Sequence, residues 1–145
     1  MLTTTHTHTT LFVRIVLIVL FVSTALIPFS APVMAADQVP LRGHFTGVGN
    51  QFTGNFTHLG RFTGVLGTQI EPTVWTAANG DTVTNVTTSF ELDEDTGNYV
   101  QKLEITGGTG RFANATGSAT VTGTINSNNG AYDGWLEGTI SRPNH

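Results

Sequence analysis

Residues 118–126 alternate strictly between small or apolar positions and hydroxyl-bearing side chains. Ala119, Val121, Gly123 and Ile125 fall on one face, and serine and threonine occupy the other. A period of two residues indicates a β-strand with one buried face. Similar runs occupy residues 41–48, 52–59, 61–70, 73–77, 82–92, 99–106 and 131–141. The sequence therefore predicts about eight short strands.

Turn and glycine positions narrow the fold class. Asn79-Gly80 predicts a type I′ hairpin, and tight connections are also predicted at residues 95–98 and 128–130. No stretch after residue 36 has a helical apolar stripe, and the abundant threonine and valine favour strands. Glycines within the strands suit the sharp bends of a small closed sheet. These are Gly47, Gly54, Gly64, Gly123 and Gly138. We predict an all-β fold, a small antiparallel eight-stranded barrel, with a sandwich as the alternative.

Residues 1–36 differ from the rest of the chain. An apolar run at 15–27 follows Arg14 and precedes small residues that end at Ala36. The run is shorter than the roughly 20 residues of a membrane-spanning helix, and the small residues suit signal peptidase. We predict a signal peptide at 1–36, one barrel domain at 37–145, secretion or export to a periplasm, and no stable membrane span after cleavage. An uncleaved amino-terminal anchor is the alternative.

Cysteine content and charge exclude several classes of protein. The chain has no cysteine, so neither a lipoprotein anchor nor a disulfide is available, and stability must come from the core and the sheet. The net charge is −4, and the few basic residues are scattered. Nucleic-acid binding needs concentrated lysine and arginine, so we expect no nucleic-acid partner.

The segment from Gly108 to Ala113 fits the glycine pattern of a dinucleotide-binding loop. Such a loop must open a helix within a βαβ unit, whereas the residues after Ala113 have the strand pattern described above. We therefore predict a structural turn formed by Gly107, Gly108, Gly110 and Gly117, and no cofactor.

The same turn carries a family resemblance. Residues 107–119 resemble the Gly-Gly-Thr-Gly-x-Phe-x-x-Ala-Arg-Gly-x-Ala segment of plant dirigent proteins and, more loosely, allene oxide cyclases. They also resemble small exported bacterial proteins of unassigned function with Thr-His-Leu-Gly-Arg-Phe and Gly-Gly-Thr-Gly-Arg-Phe, present here at 57–62 and 107–112. The resemblance implies an eight-stranded barrel, an apolar cavity and self-association into a homo-oligomer. Thr116 stands where the dirigent segment has an arginine, which weakens the case for carrying over control of radical coupling.

His58 and Arg61 bracket Leu59-Gly60, and His44 lies on a neighbouring predicted strand. A bend at Gly60 would bring a titratable imidazole beside a fixed cation at the barrel mouth. The alternative is a strand junction whose polar residues face water. Apart from His6 and His8 in the predicted leader, no two histidines have metal-ligand spacing on one strand. We predict no metal, with a site formed by His44, His58 and an acidic residue as the alternative.

Glu104 and Glu137 lie within predicted strands, and Glu137 shares a face with Trp135. If that face lines the lumen, desolvation raises the pKa of each carboxyl group and both become acid–base candidates. The alternative is a solvated outer face. The candidate ligand-binding residues are His44, His58, Arg61, Glu104, Trp135 and Glu137.

Three functions remain open from the sequence. The first is a carrier of an apolar or amphipathic small molecule, which requires a largely apolar cavity of roughly 300 Å³ or more. The second is a cyclase or stereo-directing enzyme, which requires two of His58, Arg61, Glu104 and Glu137 to meet in one pocket. The third is a non-catalytic structural or interaction module, which predicts a filled lumen with an exposed apolar patch.

Overall fold

The computed structural model describes residues 37–68 and 70–144, which form a closed antiparallel barrel. The strands are β1 (Gln38–Val48), β2 (Gln51–Phe56), β3 (Gly60–Val65), β4 (Thr73–Ala77), β5 (Thr82–Leu92), β6 (Asn98–Gly108), β7 (Gly117–Asn126) and β8 (Ala131–Ser141). Consecutive strands pair, and β1 also pairs with β8 over its whole length. The predicted barrel is confirmed and the sandwich is excluded. The predicted signal peptide lies outside the described residues.

The strand order gives the barrel two unlike ends. The upper end carries the β1–β2, β3–β4, β5–β6 and β7–β8 connections. The lower end carries the start of β1, the other three connections and the end of β8. Because up-and-down strands alternate in direction, residues early in β1 and late in β8 lie at the same, lower end.

Side chains alternate between the lumen and the outer face, as the period of two predicts. In β7, Ala119 and Val121 are buried whereas Ser118 and Thr122 are exposed. The inward side chains of all eight strands form one core cluster. Its fully buried members include Phe56, Leu41, Leu136, Ile140, Val83 and Val121.

The lower end is closed by two sequence motifs that share the Gly-Arg-Phe ending. The β2–β3 turn contributes buried Leu59, and the β6–β7 connection contributes buried Phe112 and Ala115. Arg111 joins these connections, because its Nη2 donates to the carbonyl oxygen of Leu59 at 3.4 Å and its Nε lies 3.5 Å from Asp81 Oδ2. The motifs therefore supply the closure of the barrel.

Of the four glycines predicted to form a turn, Gly110 lies in the connection between β6 and β7, whereas Gly117 is the first residue of β7. Gly107 and Gly108 end β6, and a 3₁₀ helix of three residues, Gly110–Phe112, leads towards β7. Gly110 has φ +56°, and a side chain there would meet the Asp81 carboxylate. The segment forms no α-helix, so it lacks the helix start that holds a pyrophosphate.

Three local predictions were wrong. The strand predicted at 52–59 ends at Phe56, because residues 57–59 form the turn to β3. Positive φ in the β4–β5 connection is confined to Gly80, so the turn is not type I′, which needs positive φ at two residues. Strand β3 ends at Val65 and does not continue to Ile70, because the Thr68 amide donates to Glu71 O at 3.0 Å and closes a loop.

Candidate functional site

An interior cavity of about 200 Å³ occupies the upper half of the barrel. Its walls are mostly aromatic and aliphatic, and they come from strands on all sides of the lumen. The aromatic members are Phe45, Phe52, Phe56, Trp75, Phe90, Tyr99 and Tyr132. Because the lower end is filled by Leu59 and Phe112, the space is left only in the upper half.

Glycines make room for these rings. A Cβ atom at Gly64 would meet the ring of Phe52, and one at Gly47 would lie 2.5 Å from Tyr132 Cζ. Both rings lean into the space that the missing side chains leave. The large and small residues of neighbouring strands thus alternate, as a narrow barrel requires.

A β-bulge directs Phe90 into the cavity. Thr87 pairs with Leu103 and Ser89 pairs with Lys102, so Thr88 is an extra residue in β5. The bulge reverses the alternation, and Phe90 comes opposite the cavity-lining Gln101. Phe90 stacks on Tyr99 with ring centroids 5.6 Å apart.

The cavity opens at the upper end. Phe90 is 51% exposed and Leu66 is 38% exposed, although both line the cavity. The cavity-lining Ile125 and Tyr132 are partly buried at the same end. A small molecule therefore has an apolar route from solvent to the interior.

Three polar side chains, Thr73, Asn85 and Gln101, interrupt the apolar wall. Asn85 is 2% exposed, and its Nδ2 donates to the carbonyl oxygen of Thr73 at 3.4 Å. Gln101 Nε2 donates to Thr87 Oγ1 at 2.6 Å. An amide in such a wall can orient a bound polar group, because buried polar groups need hydrogen-bond partners.

Both tyrosines of the chain line the cavity and have raised pKa values. Burial, followed by the charge of Asp133, raises the pKa of Tyr99 to about 12. Tyr99 donates its hydroxyl hydrogen to the Asp133 carbonyl oxygen at 3.1 Å, which also holds the phenol neutral. Burial raises the pKa of Tyr132 as well.

An alkaline titration tests this arrangement. Because the folded pKa of Tyr99 lies above the ordinary 10.0, its stabilising contribution is complete below pH 10 and is lost as the pH rises through about 12. We expect tyrosinate absorbance of the folded protein to rise near pH 12, and stability to fall as the pH passes through that value. We expect Tyr99→Phe to remove the rise in absorbance near pH 12. If both tyrosines of the parent protein titrate near pH 10, the prediction is wrong.

None of the six sequence-predicted site residues lines the cavity. His58 lies in the exposed β2–β3 turn with φ +69°, and Arg61 is exposed at the start of β3. Glu104 and Glu137 are also exposed. Both carboxylates therefore lie on the solvated outer face, which was the alternative to a position in the lumen. A ligand-binding role for these residues stays a prediction.

Glu104 and Glu137 share a shallow depression with Lys102 on the outer face of β6–β8. Two of the four enzyme candidates therefore meet, as the enzyme hypothesis requires. The depression gives neither carboxylate a desolvated setting, and Glu137 Oε1 is held 3.0 Å from Arg42 Nη2. Without desolvation, the main reason to expect an acid–base pair is missing.

His44, Trp135 and Glu137 do come together, on the outer face of β7, β8 and β1. Trp135 is the centre of three rows that cross these strands in register. The rows are Thr120–Glu137–Arg42, Thr122–Trp135–His44 and Thr124–Asp133–Thr46. We call these nine residues the Trp135 platform. Trp135 is 64% exposed, with its ring centroid 5.2 Å from that of His44.

The cavity-lining polar residues were missed from the sequence, although one signal was present. Asn85 is two residues from Val83 in the same strand, so both side chains point inward and a polar residue interrupts an apolar face. Phe90 gives no such signal, because the bulge at Thr88 reverses its parity. Its position follows from strand pairing and not from the local pattern.

Within residues 37–68 and 70–144, no group of three or more histidine, aspartate or glutamate side chains is placed to hold a metal ion. The same residues include no helix of the length and apolarity needed to cross a membrane. Compared with protein-family models, curated proteins and solved structures, the chain matches none.

Proposed function

We propose that this protein binds a small apolar molecule inside the upper half of its barrel and releases it unchanged. The observation that carries the proposal is the cavity of about 200 Å³, whose wall is mainly apolar and whose rim is open at Phe90 and Leu66. Burial of apolar ligand surface supplies the affinity. Asn85 and Gln101 supply one oriented polar contact.

The volume sets the size of the ligand. It is smaller than the roughly 300 Å³ that the carrier hypothesis required, so that criterion is not met and a ligand must be smaller than a drug-sized molecule. It exceeds the roughly 150 Å³ of an apolar cavity that holds benzene. The ligand class is therefore a single aromatic or alicyclic ring with at most a short substituent.

The lining residues favour binding over catalysis. They include no histidine, carboxylate, lysine, arginine, serine or cysteine. The ionisable groups that do line the cavity are Tyr99 and Tyr132, and burial raises both pKa values further above the ordinary 10.0. A neutral phenol that already donates to a backbone carbonyl is a poor general base.

Export and self-association belong to the same proposal. The leader pattern at residues 1–36 supports delivery outside the cytoplasm, and the absence of cysteine lets the domain fold there without oxidation. The resemblance to dirigent-type barrels supports an apolar ligand and a homo-oligomer. A periplasmic or extracellular carrier of this kind needs no cofactor.

Tryptophan fluorescence tests the proposal, since Trp75 lines the cavity and Trp135 lies outside it. In a Trp135→Phe background, Trp75 is the remaining tryptophan. We expect saturable changes with toluene and benzyl alcohol, and none with decanoate, which is too long for the volume. Filling the cavity with Val121→Phe should weaken toluene binding at least about tenfold, because the ring occupies the ligand space.

The matched control is Val39→Phe, which makes the same change in the lower core, outside the cavity. It should bind toluene as the parent does. Unchanged Trp75 fluorescence at saturating toluene, or equal binding by Val121→Phe and the parent, would show that the cavity is not a ligand site. The barrel would then be better described as an interaction module.

A further inference from the structure

The Trp135 platform combines one exposed aromatic side chain with polar neighbours on every side. Trp135 has Thr122 and His44 beside it on the neighbouring strands, and Asp133 and Glu137 lie two residues away along β8. These neighbours are about 4.8 Å away across the sheet and about 7 Å away along it. The indole is thus a flat apolar surface within reach of several hydrogen-bonding groups.

Each carboxylate of the platform has a neighbour within it, although only one of the two neighbours is an arginine. Arg42 contacts Glu137, with Nη2 3.0 Å from Oε1, and His44 Nε2 lies 3.7 Å from Asp133 Oδ2. Thr124 donates its hydroxyl hydrogen to Asp133 Oδ1. The platform therefore offers both donors and acceptors, and one arginine against two carboxylates leaves at most one excess negative charge. This suits a neutral ligand with many hydroxyl groups better than an acidic one.

Other macromolecules fit this surface less well. A protein interface core is depleted of charged residues, whereas the eight platform residues around Trp135 are all polar or charged. Nucleic acid needs clustered basic residues, and the platform has one arginine beside two carboxylates. Acidic polymers would meet Asp133 and Glu137.

We propose that the Trp135 platform binds a neutral polysaccharide chain of flat, β-linked pyranose rings. The C–H face of one ring lies on the indole, which is attractive because the face of an aromatic ring is electron-rich. The hydroxyl groups at the ring edge donate to the Asp133 and Glu137 carboxylates and accept from Arg42 and the threonine hydroxyls. This binding is independent of the cavity and leaves the interior free for its own ligand.

Titration of the purified protein with sugars tests the proposal. The signals of the two indole N–H groups are observed in a proton–nitrogen correlation spectrum. The chain has two tryptophans, and Trp135→Phe assigns their signals. We expect cellohexaose, or the hexamer of N-acetylglucosamine, to shift the Trp135 signal and to leave that of Trp75 unchanged. Comparison of the two sugars distinguishes a cellulose-type from a chitin-type ligand. Hexagalacturonate, which is anionic, should shift neither signal.

Trp135→Ala should raise the dissociation constant of the better sugar at least about tenfold, the size of effect expected from losing one aromatic contact. The shifts of backbone amides in β8 and β1 report binding in this variant. The matched control is Val100→Ala, because Val100 is an exposed apolar residue in the same row, next to Thr122. It should bind as the parent does.

Three results overturn the proposal. One is the absence of a Trp135 shift with both neutral sugars, and another is undiminished binding by Trp135→Ala. The third is a Trp135 signal that depends on protein concentration, together with a dimer in sedimentation that Trp135→Ala abolishes. That result would mean that the platform binds a second copy of the chain. Toluene binding, reported by Trp75, is judged separately, so failure of one site does not imply failure of the other.

Discussion

Phe112→Ala is expected to lower the free energy of unfolding by about 3–5 kcal/mol. The Phe112 side chain is 1% exposed and fills the lower end of the barrel together with Leu59 and Ala115. The surrounding connections are tied together through Arg111, so they cannot easily collapse into the space. Such a loss is a large part of the 5–15 kcal/mol typical of a natural domain.

Urea unfolding followed by circular dichroism measures this change. The matched control is Phe90→Ala, which removes a ring that is 51% exposed at the cavity mouth. It should cost about 1 kcal/mol, since little apolar surface returns to water. Equal losses for the two variants would mean that the lower closure does not stabilise the barrel more than the rim does.

Gly138→Ala is expected to destabilise the barrel by roughly 3 kcal/mol, although it adds a single methyl group. Gly138 lies opposite Ala119 in the antiparallel pair of β7 and β8. An added Cβ would meet the carbonyl oxygen of Ser118 and lie 2.5 Å from Ala119 Cα. These atoms belong to the backbone of a paired strand, so relief requires moving the strand itself.

The matched control is Gly130→Ala, in the β7–β8 turn. Gly130 has open space around it but a φ of +69°, so the cost there is conformational and should be about 1 kcal/mol. Midpoints of thermal unfolding separate the two effects. A Gly138→Ala protein as stable as Gly130→Ala would show that β7 and β8 have freedom to separate.

The sequence predicted the fold well because the evidence for it is local. The alternation through Ala119 and Val121 sets an inner and an outer face, and each face is occupied as expected. A closed barrel was predicted from the number of strands and from glycines within them. One of these, Gly138, is closely approached by the backbone of the paired strand. The errors fall at strand ends, where single hydrogen bonds such as Thr68 to Glu71 decide the boundary.

The sites could be predicted only in part. His44, Trp135 and Glu137 were selected for their chemistry, and their meeting follows from the registers of β1 and β7 with β8, which alternation does not specify. The cavity depends on how rings from many strands pack, and on a bulge that turns Phe90 inward. Neither packing nor a one-residue bulge leaves a periodic signal.

The two tryptophans divide the proposed functions between the inside and the outside of one sheet. Trp75 belongs to the cavity, whereas Trp135 projects from the outer face. A carrier fixed to a polysaccharide surface through its outer face would hold its apolar ligand at that surface, with the upper rim still free. Each property can be removed by one substitution without touching the other site.

The pairing of β1 with β8 also constrains the order of events in folding. Strands at opposite ends of the domain share a ladder that runs from Gln38–Ser141 to Val48–Ala131. The barrel cannot close until its last strand has been synthesised, and contacts between residues so far apart in sequence form slowly. A nascent chain of this kind stays open until the strand β8 has emerged from the ribosome.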